Sequence, residues 1–193
     1  MKKVILILFV AVLTAFPAAA SEDAVKQAVI REYEMIRDGK FSEILALYTK
    51  DYSSVTANKR KTTYKDIQMM SLMLDGKHPE EFMLFITKAK SAKDPSPDEE
   101  KQLRKIAQNE WVKSLYAEVC GQMRTVMRKT SEISLKTMKF IGVKVNGNQA
   151  EVVCEYEELD PVDTTFTKTV KRTSITRFRK ENGIWKNAGS TQK

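Results

Sequence analysis

Phe140-Ile141-Gly142-Val143-Lys144-Val145-Asn146-Gly147-Asn148-Gln149-Ala150-Glu151-Val152-Val153-Cys154-Glu155-Tyr156-Glu157 decides the fold. Two strand-like runs flank an Asn-Gly pair, which favours a tight hairpin because both central residues of such a turn take positive φ. Asn182-Gly183 repeats the device between Thr173–Arg179 and Ile184-Trp185-Lys186-Asn187. The stretch from Lys136 to Ser190 therefore reads as an antiparallel sheet. The residues upstream of it read as helices that cover it, which gives an α+β fold.

Strand side chains alternate between two faces. Ala150, Val152, Cys154 and Tyr156 share one face, while Glu151, Val153, Glu155 and Glu157 share the other. In the next strand, Phe166, Val170 and Phe178 fall in phase with Lys168, Arg172, Ser174 and Thr176, opposite a row holding Lys171, Arg177 and Arg179. The simplest pairing sets the glutamates against the basic row on the solvent side. The inward face is then partly polar. Either a bulge near Thr173 switches the alternation, or that part of the face lines a polar cavity.

The helices upstream are marked by periodicity and caps. Val25, Ala28, Val29, Tyr33 and Ile36 form one apolar face of a helix over Glu22–Asp38, which Gly39 stops. A short helix follows at Ser42–Tyr48, then an extended piece at Tyr52–Thr56. Thr63-Tyr64-Lys65-Asp66 resembles a capping box and opens a helix to about Leu74, ended by Gly76. Pro79 opens another to about Lys90. Ser96-Pro97-Asp98-Glu99 starts a long helix to about Lys129-Thr130, with Leu103, Ile106, Trp111, Leu115, Val119 and Met123 on its inner side.

Lys2-Lys3, the apolar run Val4–Phe16 and Ala18-Ala19-Ala20 read as a secretory signal peptide over residues 1–20. The expected product is an exported protein, periplasmic or secreted, with one domain over Ser21–Lys193. The run is short for a membrane span and no second one follows. The formal net charge is +8, with acidic residues mixed throughout, so a nucleic-acid partner is not expected. Cys120 and Cys154 permit one disulfide or two buried thiols. His78, the single histidine, sits in a turn, which removes most metal and nucleophilic-triad chemistry. Six methionines (Met69, Met70, Met73, Met83, Met123, Met127) read as core filler at helical spacing rather than soft copper ligands. No cofactor or metal is implied.

The element order, together with the run from Asp38-Gly39-Lys40-Phe41 to Tyr48-Thr49-Lys50-Asp51-Tyr52, the helix start at Thr63-Tyr64-Lys65-Asp66-Ile67, and Asn182-Gly183-Ile184-Trp185, resembles the nuclear transport factor 2-like superfamily. That superfamily is a cone-shaped α+β fold that includes ketosteroid isomerases and SnoaL-like cyclases. The resemblance implies helices packed on a curved C-terminal sheet. The chain departs from it over 66–130, where a helical insertion replaces one helix and could fill the mouth of the cone. The superfamily hosts enzymes and non-enzymes.

An isomerase-like site needs a carboxylate base and a hydroxyl donor, for which Asp51 and Tyr33 are the candidates. The inward strand positions offer no carboxylate, which favours a non-catalytic domain that holds a small amphipathic ligand or docks a protein partner or second copy through the sheet. A structural module with a self-filled cone is a further alternative. The ligand-binding candidates are Tyr33, Tyr156, Arg172 and Ser174. An inward Arg172 requires an acidic ligand, or an internal partner such as Glu32 or Glu110.

Overall fold

The computed structural model describes residues 21–56, 59, 61–91 and 94–192. The expected signal peptide lies outside them. Helix α1 covers 21–37, and Gly39 beyond it takes φ +75°. A single 3-10 turn, Ile44–Leu47, leads to β1 (Ser53–Val55) and β2 (Lys61–Thr63). Helices α2 (Tyr64–Leu74), α3 (Pro79–Ser91), α4 (Pro97–Ile106) and α5 (Glu110–Thr137) follow. Strands β3 (Lys139–Asn146), β4 (Gln149–Leu159), β5 (Thr169–Glu181) and β6 (Ile184–Gln192) complete the chain.

The six strands form one sheet in the order β2-β1-β6-β5-β4-β3, antiparallel except where β1 meets β6. The two hairpins use their Asn-Gly pairs differently. Glu181 pairs with Ile184, and Asn182 and Gly183 both take positive φ, as a type I′ turn requires. Asn146 itself pairs with Gln149, so Gly147 and Asn148 form the first turn, with only Gly147 at positive φ. The sheet bends at two bulges. Ile141 is extra on β3 between Phe140 and Gly142, and Ala188 is extra on β6 between Asn187 and Gly189.

The register sets Glu151 opposite Arg177 and Glu157 opposite Lys171 on the outer face, as the alternation predicts. On the inner face Ala150, Val152, Cys154 and Tyr156 are buried with Phe178 and Trp185 beneath Val25 and Val29 of α1. No bulge interrupts β4–β5 pairing near Thr173, so the polar inward positions Ser174 and Thr176 stay inward and buried. Phe166 and Lys168 precede β5, in a loop organised by Asp163, whose carboxylate accepts the backbone N–H groups of Thr165, Thr167 and Lys168. Phe166 has φ +52° there and does not join the inner face.

The insertion builds its own core. Met73, Leu74, Phe82, Tyr116 and Cys120 are buried around Phe41, and Met70, Met83, Met123 and Met127 pack against them. Tyr116 Oη donates to Met73 O at 2.8 Å and Arg124 Nη1 to Leu74 O at 3.3 Å, which occupies carbonyls at the end of α2. The expected single long helix is two. It breaks at Ala107–Asn109, where the Asn109 side chain accepts from Trp111 N and caps α5 afresh. The break turns Trp111 outward, 71 % exposed, and leaves Ile106 exposed as well. Helix α5 then runs past Thr130 to Thr137. Ser134 Oγ donates to Glu157 O and Thr137 Oγ accepts from Glu157 N, so two side chains replace a strand at the β4 edge beyond β3.

Candidate functional site

A cavity of about 140 Å³ lies between α1 and the concave face of the sheet. Helix α1 contributes Glu32 and Tyr33, β1 contributes Ser54, and the sheet contributes Tyr156, Ser174 and Thr176. Ser190 and Gln192 close it from β6, and Val29, Met138, Cys154 and Phe178 give it apolar walls. None of its lining comes from residues 66–130.

Glu32 is the site's acidic group, and α1 delivers it by spacing. It lies three residues after Val29 and four before Ile36, on the apolar stripe that faces the sheet. Tyr48 Oη donates to Glu32 Oε1 at 2.5 Å, and Asn187 Nδ2 donates to Oε2 at 3.0 Å. Burial pushes the Glu32 carboxyl above its ordinary value, and the bonds from Tyr48 and Asn187 offset part of that rise. Asn187 is held in turn, because its Oδ1 accepts from Gly189 N at 3.0 Å and its backbone O accepts from Thr49 N. Tyr48 is buried against Tyr52, edge to face, with centroids 4.7 Å apart.

A second cluster centres on Tyr156. Its ring meets Tyr33 edge-on at 5.8 Å. Its oxygen accepts from Gln192 Nε2 at 3.1 Å, and Tyr33 and Ser174 line the cavity beside it. Burial raises the Tyr33 and Tyr156 pKa values, so both phenols stay neutral at physiological pH.

Three of the four ligand-binding candidates, Tyr33, Tyr156 and Ser174, thus meet in the cavity. Arg172 does not. It shares their face, opposite Tyr156 in the register, but lines an adjoining open cleft with Lys136, Lys139 and Lys171. Its Nε lies 2.8 Å from Glu158 Oε1, and Gln192 Nε2 binds the other oxygen of Glu158 at 3.2 Å. The partner is therefore Glu158, on the neighbouring strand, rather than Glu32, Glu110 or an acidic ligand. Glu110 pairs with Lys113 at the surface.

Asp51 is also elsewhere. It forms a two-pronged pair with Arg179, at 2.6 and 3.0 Å, whose hydrogen bonds pull its pKa down to about 2. An exposed, strongly acidic carboxylate away from the cavity does not serve as its base. Cys120 and Cys154 are free thiols, buried in different core clusters, so the bridge that the even count permits is not made. His78 sits in its turn between Asp75 and Glu80. Glu32 is the residue that strand alternation alone passes over. Its signal is a carboxylate in phase with Val25, Val29 and Ile36.

No family model and no curated protein matches the sequence. Solved structures do match. An NTF2-like protein with a cystatin-like fold from Novosphingobium aromaticivorans aligns with a TM-score of 0.50 at 10% identity, over 93% of this chain and 86% of that one. An NTF2-like protein of unknown function from Shewanella oneidensis gives a TM-score of 0.45 at 10% identity, over 88% and 96%. A ketosteroid isomerase-like protein from Erwinia carotovora gives 0.45 at 11% identity, over 89% and 93%. The chain has the nuclear transport factor 2-like cone fold. Identities this low carry the fold and nothing about activity.

Proposed function

We propose that this cone is an exported, non-catalytic binding domain that holds a small polar ligand between α1 and its sheet. The observation that carries the reading is Glu32, a carboxylate fixed at the wall of a hydroxyl-lined cavity. Its two oxygens are held by Tyr48 and Asn187, so it is positioned as a directional acceptor. The volume, about 140 Å³, suits a ligand of roughly benzene size. The small amphipathic ligand that the sequence suggests is compatible with that size, whereas the acidic head group is disfavoured by the Arg172–Glu158 pair. Export rests on the Lys2-Lys3 start, the apolar run after it and Ala18-Ala19-Ala20.

A second reading is proton transfer, with Glu32 in place of Asp51 as base and Tyr156 as hydroxyl donor. It is favoured by the raised Glu32 pKa and by the Gln192 amide that donates to the Tyr156 oxygen. A thermal-shift screen of small metabolites on the wild type and on Thr176→Leu, which fills the cavity, tests the binding reading. The expected result is a set of compounds that stabilise the wild type and lose their effect on the variant. A screen in which both proteins respond alike contradicts it. Turnover of a compound that binds moves the assignment to the second reading.

A further inference from the structure

We propose that the ligand of this cavity is a small organic cation, a protonated amine with Glu32 as its counter-ion. The inference rests on the binding reading above and narrows it to a chemical class.

Charge is the first argument. Among the described residues that line the cavity there is one acidic side chain, Glu32, and no lysine, arginine or histidine. An anionic ligand would meet a carboxylate and no cation. Arg172, on that face of the sheet opposite Tyr156, is already neutralised by Glu158.

The second argument is the state of Glu32 itself. Its two hydrogen-bond partners, Tyr48 and Asn187, are neutral donors. A buried carboxylate without a counter-charge is costly, and one hydrogen bond on each oxygen leaves further acceptor capacity. An ammonium group both compensates the charge and uses that capacity. Among the described residues, the ionisable groups facing Glu32 are Tyr48, Tyr52 and Tyr33, and a phenol is neutral or anionic, so none of the three supplies a positive charge.

The rest of the wall suits the same class. Tyr33, Tyr156 and Phe178 offer aromatic rings, which attract cations through their faces. Ser174, Thr176, Ser190 and Gln192 add acceptor oxygens for the remaining N–H groups. The size admits a skeleton of about five to eight heavy atoms, by analogy with cavities of about 150 Å³ that hold benzene.

The test is calorimetric and thermal-shift titration of the whole exported chain with two matched series. One is n-butylamine, 1-butanol and butyrate, and the other is benzylamine, benzyl alcohol and benzoate. The amine of at least one series is expected to bind at least tenfold tighter than its alcohol and acid. Its affinity should fall as pH drops and Glu32 takes up a proton. In Glu32→Gln the preference for amine over alcohol should vanish. Should that variant fail to fold, the wild-type preference and its pH dependence decide alone. An alcohol or acid that binds as well as its amine overturns the cation and leaves the binding reading standing. So does silence from all six compounds if the metabolite screen yields a ligand that Thr176→Leu excludes. Silence from the six and from the screen removes both.

Discussion

The side-chain amide of Asn187 joins the cavity to the kink in β6: Nδ2 donates to Glu32 Oε2 at 3.0 Å, while Oδ1 accepts from Gly189 N at 3.0 Å. One residue therefore fixes the carboxylate and satisfies a backbone donor freed by the bulge at Ala188. Asn187→Leu keeps the volume and removes both bonds. The expected loss is about 1–3 kcal/mol, the cost of leaving a buried polar group unpaired. Urea unfolding measures it, and an unchanged midpoint and slope would show that neither bond matters.

Gly189 is required for a different reason. A Cβ there would stand 2.3 Å from Ser53 O, on the strand that docks parallel to β6. Gly189→Ala should therefore push β1 off the sheet, at a cost of about 1–3 kcal/mol or more. Gly142→Ala is the control, since a Cβ at that position meets nothing within 4 Å. Hydrogen exchange should show loss of protection at Ser53–Val55 in the first variant alone. Equal protection in both variants would contradict the close approach.

Stability should depend on pH through Glu32. A carboxyl whose pKa is raised on folding binds its proton more tightly in the folded state. Its contribution is therefore lost as pH rises from about 4.5, the unfolded value, through the folded value. Glu32→Gln removes that loss, so the melting temperature of the variant minus that of the wild type should grow between about pH 4 and about pH 7. Asp51 works in the opposite sense. Its pKa is lowered from 3.8 to about 2, so its contribution is lost as pH falls through that interval, and solvent exposure keeps it small. Parallel melting curves for Glu32→Gln and the wild type would contradict the Glu32 assignment.

The order of elements was legible because local chemistry marks it. Thr63 and Asp66 form the capping box that their spacing announces, and Asn182-Gly183 makes its turn with both residues at positive φ. The break at Ala107–Asn109 was not legible, because the apolar spacing on either side of it reads as one continuous helix and only the cap at Asn109 betrays the restart. The cavity was half legible. Strand alternation brings Tyr156 and Ser174 inward, and helical spacing brings Tyr33. Arg172 points to the inner face as alternation predicts, but its partner Glu158 went unread because β4 runs two residues past Glu157, to Leu159. Glu32 sits on an apolar helical stripe, and its neutral partners Tyr48 and Asn187 lie 16 and 155 residues away.

The two cysteines should behave as inert thiols. Burial pushes both to about 11, and they belong to separate clusters. A thiol reagent at neutral pH should leave the native protein unmodified and label both residues once it is unfolded without reductant. Absence of labelling after unfolding would mean a bridge, and fast labelling of the native protein would mean that the cores are open.

The most direct test of Glu32 as the cavity's ligand-facing carboxylate is its own titration, followed by the side-chain carboxyl carbon signal in NMR, with and without benzylamine. The account predicts a midpoint above 4.5 in the free protein and a lower one when the amine is present, because a neighbouring cation favours the ionised form. A midpoint at or below 4.5 that the amine does not move would contradict it.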